Sequence, residues 1–373
     1  MHQTPSWRLD AVRLHRCLLG TGKSLSFVRS RKKLRREIVP TLSGLCYVRK
    51  ISGVIRLQQL AVFLGAIFFL SAAHSAEPLR LAPGNYEFMI RHGDRTRSYL
   101  LHVPPHAATG RPLPLLIAFH GGGSSAAGMK DHYGIDRVAD RFGYLVAYPN
   151  GSGFLKQTGL TWNAGKCCGY ALEHHIDDTG FTSAVINDVA RRVPINAKHV
   201  FAAGHSNGAM MAHRVAIELE NRIAAIAAVA GSMVYDTPRR TVPKSVLVIH
   251  SIDDPLALYQ GGESSLRPLA GKRSHHEPIE NTVKWWAENN GCGSAPVSKP
   301  VLEKMHSGKK FTAQKIEYDD CRNGGKVIFW KLSGTGHAWP GQEPVLPERV
   351  MGPYSSVIAA NEEIFLFFDG VAP

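Results

Sequence analysis

Three stretches of this sequence carry side chains that can do covalent chemistry together. The first is Gly204-His205-Ser206-Asn207-Gly208, a serine with a glycine two positions away on each side. A serine hydroxyl is a weak nucleophile until a base takes its proton. That base is usually a histidine, held in one tautomer by a carboxylate. Capping of a following helix is the bland reading of the same serine. The second stretch, His250-Ser251-Ile252-Asp253-Asp254-Pro255, offers two carboxylates. Asp254 is preferred to Asp253, because a loop carboxylate ahead of a proline is held rigidly; a plain Asp-Pro turn is the alternative. The third, Gly334-Thr335-Gly336-His337-Ala338-Trp339-Pro340-Gly341, sets His337 in a loop punctuated by glycines. The chain has 18 histidines, so a lone one means little. His337 stands out because it follows both a strand and the acid. Ser206, Asp254, His337 is the order in which an open parallel sheet presents nucleophile, acid and base.

A fourth stretch, Phe119-His120-Gly121-Gly122-Gly123-Ser124-Ser125, supplies what such a trio lacks. Attack on an acyl carbon builds negative charge on the carbonyl oxygen, and main-chain N–H groups aimed at that oxygen stabilise it. Gly122 is assigned as one donor and Asn207, the residue after the nucleophile, as the other. His120 braces the loop. A phosphate-binding reading fails because no Gly-Lys-Ser/Thr follows.

These groups work only at the carboxyl ends of strands in one sheet. The apolar runs at 113–121, 144–150, 199–204, 223–231, 245–254 and 326–334 read as strands. Helical periodicity lies near 126–142, 177–193 (capped by Asp177 or Asp178), 206–222, 278–290 and 355–371. Two more strands flank a His92-Gly93-Asp94 turn within 85–104, and another covers 311–320. Unbroken apolar runs mean burial on both faces. The expected class is therefore α/β, a mostly parallel sheet with helices on both faces. Residues 151–176 and 232–244 read as irregular.

The net charge of +14 would suggest nucleic acid if it were spread evenly. It is not. Residues 1–56 contribute +11, residues 57–76 hold no Asp, Glu, Lys or Arg, and residues 77–373 contribute +3. Nucleic-acid binding is excluded on that distribution. The apolar run Leu60–Ala73 has 14 residues, the length of a signal-peptide core and short of the roughly 20 of a membrane span. Cleavage is expected after Ser75 or Ala76. The reading is then a basic leader with signal peptide over 1–76, one α/β domain over 77–373, and a secreted or periplasmic product. The long basic stretch ahead of the apolar run fits a translation start near Val48 or Val54. Export agrees with the cysteines, of which four fall after the leader. Cys292 and Cys321 flank a loop-and-strand segment and are paired. The adjacent Cys167 and Cys168 either bond to each other or stay reduced. No second Cys-x-x-Cys or His pair has zinc spacing, so neither metal nor other cofactor is expected.

Taken together, LPLLIAFHGGG, TWNAGKCCGYA, DDTGF, GHSNGAMMAHRVA, IHSIDDPLALYQGG and GTGHAWPG resemble secreted polyhydroxybutyrate depolymerase-like and feruloyl esterase-like enzymes of the α/β-hydrolase fold. The resemblance covers about residues 85–368. It implies a serine carboxylic-ester hydrolase with Ser206, Asp254 and His337 as its triad and an ester as its partner. That ester is an oligomeric hydroxyalkanoate or a feruloylated or acetylated saccharide. Two departures stand out. The family often has His-Gly-Thr before the acid and Val-Pro-Tyr after it, where this chain has His250-Ser251-Ile252 and Leu256-Ala257-Leu258-Tyr259. Trp162, Tyr259 and Trp339 either line a pocket for an aryl or sugar group or pack the interior. The rival functions are a serine peptidase or acyltransferase on the same fold, and a secreted binding protein that has lost the chemistry.

Overall fold

Every strand in the middle of the sheet faces two cores, which is why its apolar runs are unbroken. In β3 (Leu113–Phe119), Leu115, Ile117 and Phe119 enter one core while Leu116 and Ala118 enter the other. The same split divides Ala202 from Phe201 and Ala203 in β5 (Ile195–His205), and Val246 and Val248 from Leu247 and Ile249 in β7 (Ser245–Ser251). The computed structural model describes residues 81–234, 239–263, 275–293 and 295–371, all within one compact unit. The leader, its apolar run and the cleavage positions lie outside the described residues.

The other strands of this sheet are β1 (Gly84–His92), β2 (Arg95–Val103), β4 (Leu145–Pro149), β6 (Ala225–Val229), β8 (Val297–Ser298), β9 (Leu302–His306), β10 (Lys309–Tyr318) and β11 (Val327–Ser333). They form an 11-stranded sheet in the order β1-β2-β4-β3-β5-β6-β7-β11-β10-β8, with β9 paired to β10. The run from β4 to β11 is parallel, and antiparallel strands flank it on both sides. One core is closed by α4 (Asp178–Arg192), α5 (Asn207–Glu218) and α6 (Ile279–Asn290). The other is closed by α1 (Ala126–Tyr133), α2 (Ile135–Phe142) and α8 (Ala360–Asp369). This is the α/β-hydrolase architecture. Because the central strands are parallel, β3, β5, β7 and β11 deliver the glycine loop, Ser206, Asp254 and His337 to the same edge of the sheet.

Several elements differ from the sequence reading. The helix near 126–142 is two helices, broken at Gly134, whose φ of 62° ends one helix and begins the next. Strand β5 starts at Ile195 rather than 199, because Ile195 pairs with Leu113. The irregular segment 151–176 contains a bridge between Ser152 and Thr161 and a short helix, α3 (Gly169–Glu173). Strand β9 escaped notice because both its faces are exposed, which leaves no apolar alternation to read. A last short helix, α7 (Glu348–Met351), precedes α8.

Asp177 is the cap of α4: its carboxylate accepts from Gly180 N at 2.8 Å. Asp178 is buried instead, pairing with Arg97 at 2.8 Å and accepting from Asn163 N at 2.8 Å. Cys292 and Cys321 form a disulfide that joins the end of α6 to the turn after β10. Cys167 and Cys168 are bonded to each other across a cis peptide bond. No helix among the described residues is long and apolar enough to cross a membrane.

Candidate active site

Strand β5 ends at His205, and the chain turns through Ser206 into α5. Ser206 holds φ 58° and ψ −122°, a conformation that non-glycine residues rarely adopt. The flanking glycines permit it. A Cβ on Gly204 would collide with the carbonyl of Gly208, one on Gly208 with the carbonyls of Phe119 and His120, and one on Gly231 with the Ser206 carbonyl. The Ser206 N–H donates to Val229 O at 2.9 Å, which fixes the turn to β6. The hydroxyl makes no capping bond to α5, so the helix-cap reading of Ser206 does not describe this geometry.

The structure brings Asp254, not Asp253, to His337. Asp254 Oδ2 lies 2.8 Å from His337 Nδ1. Its other oxygen accepts from Leu256 N and Ala257 N, both at 2.8 Å, so the carboxylate is locked into its own turn. Burial would raise its pKa. The adjacent His337, with help from His250 and the Ala257 N–H, outweighs burial and holds it at about 2. Asp253 faces outward and accepts from Gly334 N at 2.7 Å and Ser333 Oγ at 3.2 Å, pinning the loop that carries His337. Ser251 Oγ donates to Thr335 O from the same side.

His337 is 3% exposed, and its ring lies 4.8 Å from the ring of His205, the neighbour of Ser206. Among the described residues no hydrogen bond joins His337 to Ser206. Burial depresses the pKa of His205, of His250 and of His276, the last to about 4. Burial thus disfavours the charged form of the imidazoles around the pair.

The glycine loop lies against the start of α5. A Cβ on Gly121 would sit 3.6 Å from Ser206 Cβ, and one on Gly122 would sit 3.5 Å from Asn207 Cβ. Among the described residues, the N–H groups of Gly122 and Asn207 have no hydrogen-bond acceptor. Gly123 N donates to Leu160 O at 2.8 Å. His120 holds the loop from inside: one ring nitrogen bonds Gly121 O at 2.8 Å, and the other accepts from Gly151 N at 3.0 Å. Burial lowers its pKa to about 4, so the ring stays neutral and can serve both bonds.

A family model described as Esterase PHB depolymerase matches residues 97–271. The putative esterase NocK of Nocardia uniformis subsp. tsuyamanensis is 30% identical over 66% of this chain and 72% of its own length. The chain belongs to the esterase PHB depolymerase family. Feruloyl esterase B of Piromyces equi is 27% identical over 65% of this chain, which spans 42% of that protein's length. The solved acetyl xylan esterase from Aspergillus awamori superposes with a TM-score of 0.50 at 15% identity, over 76% of this chain and 99% of its own. That likeness is one of fold. As a member of this family, the protein is a carboxylic ester hydrolase of the PHB depolymerase and feruloyl esterase type.

The three aromatic residues read as pocket candidates are interior residues in this esterase. Trp162 is 0% exposed; its indole N–H donates to His120 O at 2.9 Å and its ring meets Phe119 edge-on. Trp339 is 3% exposed, donates to Asn361 Oδ1 at 2.9 Å and packs edge-on against Tyr133. Tyr259 is 6% exposed, stacks on Phe329 and donates its hydroxyl to Glu280. Each indole or phenol finds a polar partner inside the protein, which is what permits its burial. Sequence reasoning overlooked His205, His250 and His276 around the Asp254–His337 pair, because nothing in a single sequence separates them from the other histidines. It also overlooked Phe154, 92% exposed, and Leu155, 56% exposed, on the loop whose base bonds to Gly123.

Proposed function

We propose that this chain is a secreted or periplasmic serine esterase whose mature domain begins near residue 77. In this reading Ser206 is the nucleophile, His337 the general base and acid, and Asp254 the group that orients and stabilises the imidazole. The observation that carries it is the 2.8 Å Asp254–His337 bond beside a serine held at positive φ with its hydroxyl free of the helix. His337 takes the hydroxyl proton as Oγ attacks the ester carbon. The N–H groups of Gly122 and Asn207 receive the oxyanion. His337 then returns the proton to the departing alcohol, and water, activated by the same ring, hydrolyses the acyl-enzyme.

The substrate is an ester of a soluble oligomer or a saccharide side chain, of the hydroxyalkanoate, feruloyl or acetyl kind. The names of the family and of the relatives support that range, and the exposed Phe154 and Leu155, on the loop whose base bonds to Gly123, offer an apolar contact for the acyl part. The test is one assay series with p-nitrophenyl acetate, methyl ferulate, a hydroxybutyrate dimer and a peptide anilide, run beside Ser206→Ala. Hydrolysis of esters that the variant loses supports the reading. Activity on the anilide alone indicates a peptidase. Failure of a fluorophosphonate to label the purified protein indicates a binding protein.

A further inference from the structure

The segment Trp162–Cys168 is bonded to the immediate surroundings of both proposed oxyanion donors. On one side, the Trp162 indole N–H donates to His120 O at 2.9 Å, two residues before Gly122. On the other, the Asn207 carboxamide grips the Trp162 main chain with both ends: Oδ1 accepts from Trp162 N at 2.7 Å, and Nδ2 donates to Trp162 O at 3.0 Å. One residue therefore spans the two donors. The same carbonyl of Trp162 accepts a second bond, from Cys168 N at 2.9 Å, and Cys167 Sγ lies 4.0 Å from Asn207 Nδ2. Cys167 is 1% exposed and shares a small core with Ala164, Met210 and Val234. The bonded cysteine pair thus closes directly on the group that Asn207 holds.

We infer that Trp162 is a positioning residue that sets the spacing between the Gly122 and Asn207 N–H groups, and that the Cys167–Cys168 disulfide locks it in place. The inference rests on the proposed oxyanion pair. Donors aimed at a transition-state oxygen act only within a few tenths of an ångström of the right place, and an error of about 1 Å costs on the order of 100-fold. Trp162 is fully buried and cannot reach a substrate, so its influence falls on turnover and not on ground-state binding.

Trp162→Phe keeps a ring against Phe119 and His120 and removes the indole donor together with the volume of the second ring. It is expected to lower kcat about 10- to 100-fold with KM unchanged within about 2-fold, and to weaken phenylboronic acid, a mimic of the tetrahedral adduct, by the same factor as kcat/KM. The Cys167→Ser/Cys168→Ser protein is expected to show the same kcat-selective loss, and provides a second reading should Trp162→Phe not fold. Ser206→Ala distinguishes the two levels of the argument. If it retains turnover, the site itself is misread. If it is inactive while folded Trp162→Phe, or the double cysteine variant, keeps wild-type kcat, or loses activity through KM alone, the positioning role is overturned.

Discussion

The turn that carries Ser206 and the loops that carry Asp254 and His337 end parallel strands of one sheet, yet different forces hold them. Exclusion shapes the first: Gly204, Gly208 and Gly231 are bare because a Cβ at any of them would strike a carbonyl. Hydrogen bonds shape the second: Asp254 accepts from two main-chain N–H groups, Asp253 accepts from Gly334, and Ser251 donates to Thr335. Exclusion leaves a mark in the sequence, since only glycine satisfies it. Bonding leaves almost none, since many residues can accept an N–H. The difference also predicts how each part fails. Loss of a glycine should damage the fold, whereas loss of a carboxylate should damage the chemistry while the chain stays folded.

The largest effect expected is chemical. Ser206→Ala and His337→Ala should each lower kcat by about four orders of magnitude, Ser206→Ala with an unfolding temperature close to wild type and His337→Ala with a lowered one, because it leaves the buried Asp254 without its partner. A single-turnover assay with p-nitrophenyl acetate measures it, and normal turnover in either variant would remove that residue from the site. Next comes the pair of neighbouring acids. Asp254→Asn should cost about 10³- to 10⁴-fold in kcat, because the imidazole loses its anionic partner. Asp253→Asn, which only loosens the contact to Gly334, should cost about 10-fold or less. The reverse ranking would transfer the role of acid by one residue.

The glycines come third. Gly208→Ala drives a methyl into the main chain of β3, which cannot yield as a side chain would, and should destabilise by about 3 kcal/mol in urea unfolding. At Gly122 a Cβ finds ordinary contact distances, so Gly122→Ala should change stability by less than about 1 kcal/mol. Equal losses in the two would end the contrast drawn above.

The smallest effect concerns pH. The Asp254 carboxyl has a lower pKa in the fold, about 2, than the usual 3.9 of an unfolded chain. Its ionised form therefore adds stability that is fully present above about pH 4 and disappears as pH falls towards 2. The contribution is about 2–3 kcal/mol. Wild type should thus lose more stability than Asp254→Asn between pH 5 and pH 3, and equal losses would show that the carboxylate is not held as described.

This contrast also explains what could be read from the sequence. The parallel strands announced themselves because burial on two faces demands unbroken apolar runs such as LPLLIAF. The Gly204–Gly208 turn and the glycine loop were legible because their shapes exclude side chains. Gly134 falls inside one continuous helical pattern, since a lone glycine does not declare its φ. Trp162 was legible as important and illegible in kind. An aromatic residue in a loop reads the same whether it faces a ligand or, as here, donates inward to His120. Strand β9 was illegible for the opposite reason from the core strands, since water surrounds both its faces, whereas its partner β10 was read.

That exposed hairpin gives the Cys292–Cys321 bond a wider consequence. Val297, Val301, Leu302 and Met305 lie open on β8, β9 and their connection, each between 46% and 64% exposed, along the margin of the sheet. Such a margin can recruit a second chain unless it is held short and twisted. The disulfide anchors the foot of β10 to α6 and closes a loop of 29 residues' separation, for a contribution of about 3–4 kcal/mol. Protein made in a reducing cytosol would have this margin loose. Its failure there should be aggregation seeded from β8 and β9 rather than inactivity of a soluble enzyme, and an oxidising expression host should restore the yield.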